Sequence, residues 1–143
     1  MIISVASDHN GYEMKEMLKN YFDLNNITYI DFGTNGTESV NYPVYAKKVC
    51  SSIQTGESNF GILICGTGIG MCMMSNKQRN IRAACCHDTY SAKMARLHND
   101  ANVLTIGSRV IGPGLALDIV KKFLATDFEG GRHSERVGMY DSL

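Results

Sequence analysis

Short apolar runs that alternate five times with segments of helical period predict an α/β protein, a three-layer α/β/α sandwich around a Rossmann-like five-stranded parallel sheet. A second observation agrees. Residue types able to do chemistry gather just after the apolar runs, where open parallel sheets bind ligands. The third is size: 143 residues suffice for one core, and no repeat, low-complexity segment or linker divides them. A single domain over residues 1–143 is expected.

Ile2–Ala6 is apolar and partly β-branched and reads as the first strand. It runs into Ser7-Asp8-His9-Asn10-Gly11. Met14, Met17, Leu18, Tyr21 and Phe22 then fall at offsets 0, 3, 4, 7 and 8, one face of a helix. Asp8 fits a capping or turn role as well as a ligand role, and His9 fits a solvated loop as well as a site. Asn25-Asn26 turns the chain into a second strand, Ile27–Phe32, and Gly33–Tyr42 is a polar loop. Pro43 opens the next helix, where its missing N–H is not needed. Ala46, Val49, Cys50 and Ile53 form its apolar face, and Thr55-Gly56 ends it.

The third strand, Ile62-Leu63-Ile64, ends at Cys65. Ile81–Cys86 reads as the fourth. The helix after it starts at His87-Asp88-Thr89, carries Tyr90, Met94 and Leu97 on one side, and stops at Asn99. Asn102–Ile106 reads as the fifth strand, followed by Gly107-Ser108-Arg109. Pro113 and Gly114 start the last long helix, where Ala116, Ile119, Val120, Phe123 and Leu124 repeat the apolar face. The tail, residues 128–143, is polar. If it is helical, Arg132 and Arg136 share one face, which suits a phosphate, a solvated surface or a subunit contact.

The stretch Phe60–Lys77 organises the rest. Cys65 stands on the lip of a turn with glycines at 66, 68 and 70, leading into an apolar segment that reads as helix. Bare backbone lets N–H groups converge, and a helix N-terminus adds partial positive charge. A thiolate is favoured in such a place. A base beside an anion cradle suits removal of a proton next to a carbonyl, because the enediolate carries negative oxygen. The same residues fit a buried strand-end cysteine in a dinucleotide-type loop. That fingerprint wants GxGxxG after the first strand and an acid further on. Here the glycines follow the third strand, and the next acid, Asp88, lies beyond another strand. A Walker loop is also excluded, since Lys77 does not follow a glycine.

Asp8 and His9, Cys65 and Thr67, His87 and His98, and Arg109 are read as following strands one, three, four and five, and so as sharing one sheet edge. The combination points to a small phosphorylated substrate undergoing proton transfer. Lys+Arg and Asp+Glu are 14 each, which weighs against a nucleic-acid or acidic-membrane binder. No apolar run approaches the roughly 20 residues that span a bilayer, and MIISVAS lacks the basic start of a signal peptide. A cytoplasmic protein is expected. Five cysteines with no CxxC pair weigh against a disulfide framework or structural zinc.

Asp8-His9-x-Gly11, the Cys65–Gly70 turn, Ser75-Asn76-Lys77, His98-Asn99-Asp100-Ala-Asn102, Gly107-Ser108-Arg109-Val110 and Glu129-Gly-Gly-Arg132-His133-x-x-Arg136-Val137 together resemble the ribose-5-phosphate isomerase B family, over nearly the full length. That family includes galactose- and allose-6-phosphate isomerases. The resemblance implies an aldose–ketose isomerase of the pentose phosphate pathway with no metal and no cofactor. It implies Cys65 as the base moving a proton between C1 and C2. The backbone of Gly66, Gly68, Ile69 and Gly70 would hold the enediolate oxygen with help from Thr67, and Asp8 would contact substrate hydroxyls. His98 would open the sugar ring with Asn99 beside it. His9, Arg109, Arg132 and Arg136 would hold the phosphate.

It also implies a homodimer or homotetramer with active sites shared between subunits, the tail contributing to phosphate binding and the interface. Ribose 5-phosphate is the expected substrate. A six-carbon aldose 6-phosphate and a non-catalytic sugar-phosphate-binding subunit are the alternatives. Asn41, where the family often has aspartate, and the bulky Met71-Cys72-Met73-Met74 bear on sugar preference rather than on reaction type.

Overall fold

A computed structural model describes all 143 residues, Met1–Leu143. Its strands are β1 (Ile2–Ser7), β2 (Thr28–Asp31), β3 (Phe60–Cys65), β4 (Ala83–Cys85) and β5 (Val103–Gly107). Its helices are α1 (Tyr12–Leu24), α2 (Tyr42–Gln54), α3 (Ile69–Asn76), α4 (Thr89–Leu97), α5 (Pro113–Ala125) and α6 (Arg132–Asp141). The strands pair in parallel in the order β2-β1-β3-β5-β4.

Both faces of the sheet are apolar because successive residues of each central strand feed different cores. Ile3, Val5, Ile62, Ile64, Leu104 and Ile106 pack with Leu18, Phe22, Ala92, Ile119 and Phe123, under α1, α4 and α5. Ala6, Leu63, Cys65 and Val103 pack with Ala46, Val49, Cys50 and Met71, under α2 and α3. The chain leaves β1 in one direction to form β2 and returns to place β3 on the other side. That reversal opens a crevice at the carboxyl ends of β1 and β3, where Asp8 and Cys65 stand.

Short β4 is an edge strand, and its outer backbone is occupied. The Asn76 side chain accepts from the Ala83 N–H at 2.8 Å and donates to the Ala83 carbonyl at 2.9 Å. No helix is long and apolar enough to cross a membrane.

Three expectations are corrected. β2 and β4 are shorter than Ile27–Phe32 and Ile81–Cys86, since the sheet pairing ends before the apolar runs do. The buried face of α4 is Ala92, Ala95 and Arg96, whereas Tyr90 is 72% exposed. Alanines let α4 approach closely, and the Arg96 guanidinium lies 4.6 Å over the Phe60 ring while donating to the Ala101 carbonyl. The residue that turns left-handed after α4 is Asp100, at φ 47°, not Asn99.

Lys15 is fully buried and donates to Asp31 at 2.7 Å and to the Thr34 carbonyl at 2.6 Å. Lys19 reaches the other Asp31 oxygen at 2.7 Å. Burial pulls the Asp31 pKa up, but the two lysines and the Gly33 N–H outweigh it and hold the carboxyl below its usual range. The stabilisation is therefore present above about pH 4 and is lost as pH falls through the depressed folded value. Asp31→Asn strands a buried ammonium and is expected to cost about 3–5 kcal/mol at neutral pH. Its melting temperature should also fall less steeply with acid than that of the wild type; parallel acid limbs in thermal melts would contradict this.

Candidate active site

The loops after β1, β3 and β5 meet at one edge of the sheet. Asp8 is 5% exposed, and its Oδ1 accepts the N–H groups of Asn10 and Gly11 at 2.9 and 3.1 Å. One carboxylate oxygen thus does the turn-forming work. Oδ2 has no hydrogen bond within the chain. Gly11 can only be glycine, because a Cβ there would lie 2.5 Å from the Ile64 carbonyl oxygen. That contact presses the β1 loop onto the end of β3. His9 Nδ1 accepts the Val40 N–H at 3.2 Å, so its proton is on Nε2, which is left to donate.

Cys65 is 5% exposed and packs into the core on the α2–α3 side. Its sulfur accepts the Gly68 N–H at 3.2 Å. An N–H aimed at sulfur stabilises negative charge there, offsetting the cost of a nearly dry setting. Gly68 caps α3 with φ 77° and has no room for a side chain: a Cβ would lie 2.9 Å from the Ile106 carbonyl carbon. Thr67 is exposed, and its Oγ1 accepts the Ile69 N–H at 3.2 Å, tightening the start of α3. Exposed Arg109 is tied to the turn by its own N–H, which donates to the Gly66 carbonyl at 3.0 Å.

Among the residues that lock these loops together, His87 was expected at this edge for its chemistry, while sequence reasoning assigned no role to Ser108 and Tyr42. The Ser108 hydroxyl donates to the Asn10 carbonyl at 2.7 Å and approaches the Cys65 carbonyl at 3.2 Å, joining all three loops. His87 Nε2 accepts the Gly107 N–H at 3.0 Å. The Tyr42 ring lies so close over Gly70 that a Cβ there would meet its Cζ at 2.6 Å. Ser108 lies within a motif already singled out, but hydroxyl pairing to distant carbonyls leaves no periodic signal. A Cβ on Gly107 would sit 2.6–2.7 Å from the Thr67 backbone. Gly107→Ala must therefore push the Cys65 turn outward. The expected result is a loss of about 100-fold in kcat with about 1–3 kcal/mol of stability. A variant with wild-type kcat in steady-state assays would show that the turn tolerates the shift.

His98, Asn99, Arg132 and Arg136 are not at this edge, which corrects the expectation that His98 shares it. His98 ends α4, which runs back to the opposite edge before β5 begins. β5 alone, five residues long, spans about 16 Å between the edges. That is more than a pentose phosphate bridges. α6 packs at that far edge: Arg82, just before β4, pairs with Asp141 at 2.8 Å, and the Tyr140 hydroxyl donates to the Asn99 carbonyl at 3.2 Å. Arg132 and Arg136 are both exposed, with His133 and Val137 forming the buried side of α6. Neither arginine has an acidic partner within the chain. A surface cavity of about 730 Å³ also lies here, lined in part by Arg79, Arg82, Asn99 and Tyr140.

His98, Glu129 and His133 place one donor atom each within 4.8 Å of one another. The two imidazoles are stacked, with centroids 4.3 Å apart and planes at 12°. The nitrogen lone pairs of stacked rings lie in separate, nearly parallel planes rather than converging, so the trio is poorly shaped for a shared ion.

The fold and this edge define a doubly wound α/β protein with a cysteine set in a glycine-built anion turn. Residues 3–140 match the family described as Ribose/Galactose Isomerase, and the chain belongs to that family. It is 44% identical over 135 residues to ribose-5-phosphate isomerase B of Escherichia coli, covering 94% of this chain and 91% of that one. The structure of Clostridium thermocellum ribose-5-phosphate isomerase B superposes with a TM-score of 0.98 at 47% identity, covering 99% of this chain and 96% of that chain. A Thermotoga maritima ribose 5-phosphate isomerase superposes at 0.97 with 49% identity, covering 99% and 98%.

Proposed function

We propose that this chain interconverts ribose 5-phosphate and ribulose 5-phosphate through an enediolate, with Cys65 as the base and without a metal or cofactor. The observation that carries the reading is the Gly68 N–H aimed at the Cys65 sulfur within a turn of bare backbone. The named activity of the relatives supports the reaction class. In the open-chain aldose the thiolate takes the C2 proton. The electron pair forms the C1–C2 double bond, and negative charge develops on O1 beside the amides of the Gly66–Gly70 turn. The new S–H returns the proton to C1, while a proton passes from O2 to O1 to leave the ketone at C2. Asp8 offers its unused oxygen to substrate hydroxyls, and Thr67 steadies the turn.

The phosphate is held by His9 and Arg109 of one chain and by the partner subunit's Arg132 and Arg136. The partner subunit's His98 opens the sugar ring with the partner's Asn99 beside it. The homodimer, alone or as half of a tetramer, is thus the smallest complete enzyme in this reading. Support comes from the separation of the two groups to opposite edges and from two exposed arginines with no acid to neutralise them. The reading places the enzyme in the cytoplasm, with no nucleic-acid or membrane partner.

A coupled assay on ribose 5-phosphate with chelator present tests reaction class and metal independence together. Undiminished turnover is expected, and loss of turnover on chelation would overturn the metal-free mechanism. Comparing kcat/KM with allose and galactose 6-phosphates in the same assay tests the sugar, with the pentose expected to lead.

A further inference from the structure

We propose that His133 and Glu129 are positioning residues for His98, the buried His133 ring fixing the plane of the His98 imidazole and Glu129 holding a proton on its Nε2 edge. This rests on the reading of His98 as the ring-opening group given above. Neither His133 nor Glu129 has a role in that reading.

The geometry has three parts. His133 is 8% exposed and sits on the inward side of α6, so its ring is a fixed platform. His98 lies flat on it, 4.3 Å between centroids, on a side chain that is 40% exposed and otherwise free to turn. Glu129 Oε2 stands 3.6 Å from Nε2 of His98 and 3.5 Å from Nε2 of His133. Glu129 is itself anchored where it is needed, since its N–H donates to the Leu97 carbonyl at 3.0 Å at the end of α4.

One carboxylate oxygen facing two stacked imidazoles favours a single extra proton, because two imidazolium rings in van der Waals contact repel. Desolvation and the His98 charge push the His133 pKa down, against the pull of Glu129 and with the help of Arg132 and Arg136. His133 is therefore the poorer proton carrier of the pair, and His98 is the ring that faces solvent and any substrate. A histidine whose ring plane and protonated edge are both set in advance is what proton transfer to or from a sugar ring oxygen needs. The charged groups that act on His133 are His98 and Glu129 beside it and Arg132 and Arg136 on its own helix.

Ribulose 5-phosphate makes the test selective. Its C5 oxygen is esterified, so it cannot close a furanose ring, and solvent exchange of its C1 proton needs Cys65 but no ring opening. Ribose 5-phosphate must be opened before it reacts. His133→Ala and Glu129→Gln are each expected to lower kcat from ribose 5-phosphate about tenfold or more. C1 deuterium exchange into ribulose 5-phosphate, followed by NMR in D2O, should stay within about twofold of wild type. His133→Phe keeps a flat platform and should recover most of the forward rate lost in His133→Ala.

Equal loss of both rates, or loss of neither, in Glu129→Gln and His133→Ala would overturn the proposal. Glu129 is 56% exposed, so Glu129→Gln decides the matter even if His133→Ala does not fold. His98→Asn separates the two readings. If it lowers both rates alike, the ring-opening role of His98 fails. If it shows the split and the other two variants do not, the positioning proposal alone fails.

Discussion

Cys65→Ala is expected to lower turnover of ribose 5-phosphate by about a thousandfold, as loss of a positioned general base does, with the substrate Kd unchanged within about threefold. The separation of effects follows from where the groups lie. The sulfur touches only the Gly68 N–H and the core, while phosphate affinity is assigned to His9 and the arginines. Folding should survive. Replacing a small buried thiol by a methyl removes one heavy atom, which costs about 1 kcal/mol, and the glycine turn keeps its contacts with Gly107 and Tyr42. Isothermal titration and single-turnover kinetics on purified protein, free of host isomerase, measure both quantities. A variant that still turns over rules out Cys65 as the base and redirects attention to Asp8, whose free oxygen is the other acceptor at that edge.

The second large effect is complementation between inactive chains. If the proposed homodimer shares its active sites, Cys65→Ala and His98→Asn homodimers should each be nearly inactive toward ribose 5-phosphate. In a mixed dimer with active sites shared across subunits, one site carries both substitutions and the other carries neither. With random association half of the dimers are mixed and half of their sites are intact, so about one quarter of wild-type activity returns. Co-expression, or unfolding and refolding of the mixture, ensures exchange of subunits. If every site were built within one chain, no mixed dimer would hold an intact site and activity would stay at the sum of the two variants. The distinction rests on the far-edge position of His98 at the end of α4 and of the α6 arginines beside it.

Much of this was readable in the linear order of residues. Alternating apolar runs and 3.6-period segments settled a parallel three-layer fold, and Cys65 with three alternating glycines marked the strand-end turn that lies beside the Asp8 loop. Both signals are local: a period of two or 3.6 reports which faces are buried, and glycine reports where backbone must bend or approach closely. The helix α4 expectation failed for the same reason. Tyr90, Met94 and Leu97 have the right period, but small Ala92 and Ala95 fit the closer packing against α5, and Arg96 lies over the Phe60 and Phe123 rings.

The order β2-β1-β3-β5-β4 was decided only in three dimensions, because strand neighbours depend on which crossovers pack best and not on any one segment. So was the edge on which His98 falls. A residue at the end of a helix is carried back along the sheet, away from the loops that follow the strands, and no motif announces that return. The Ser108 bridge and the stacking of His98 on His133 likewise join residues from 35 to 98 positions apart. Such pairings arise from the packing of finished elements, so the sequence determined the chemistry available and the tertiary structure determined which groups could act together.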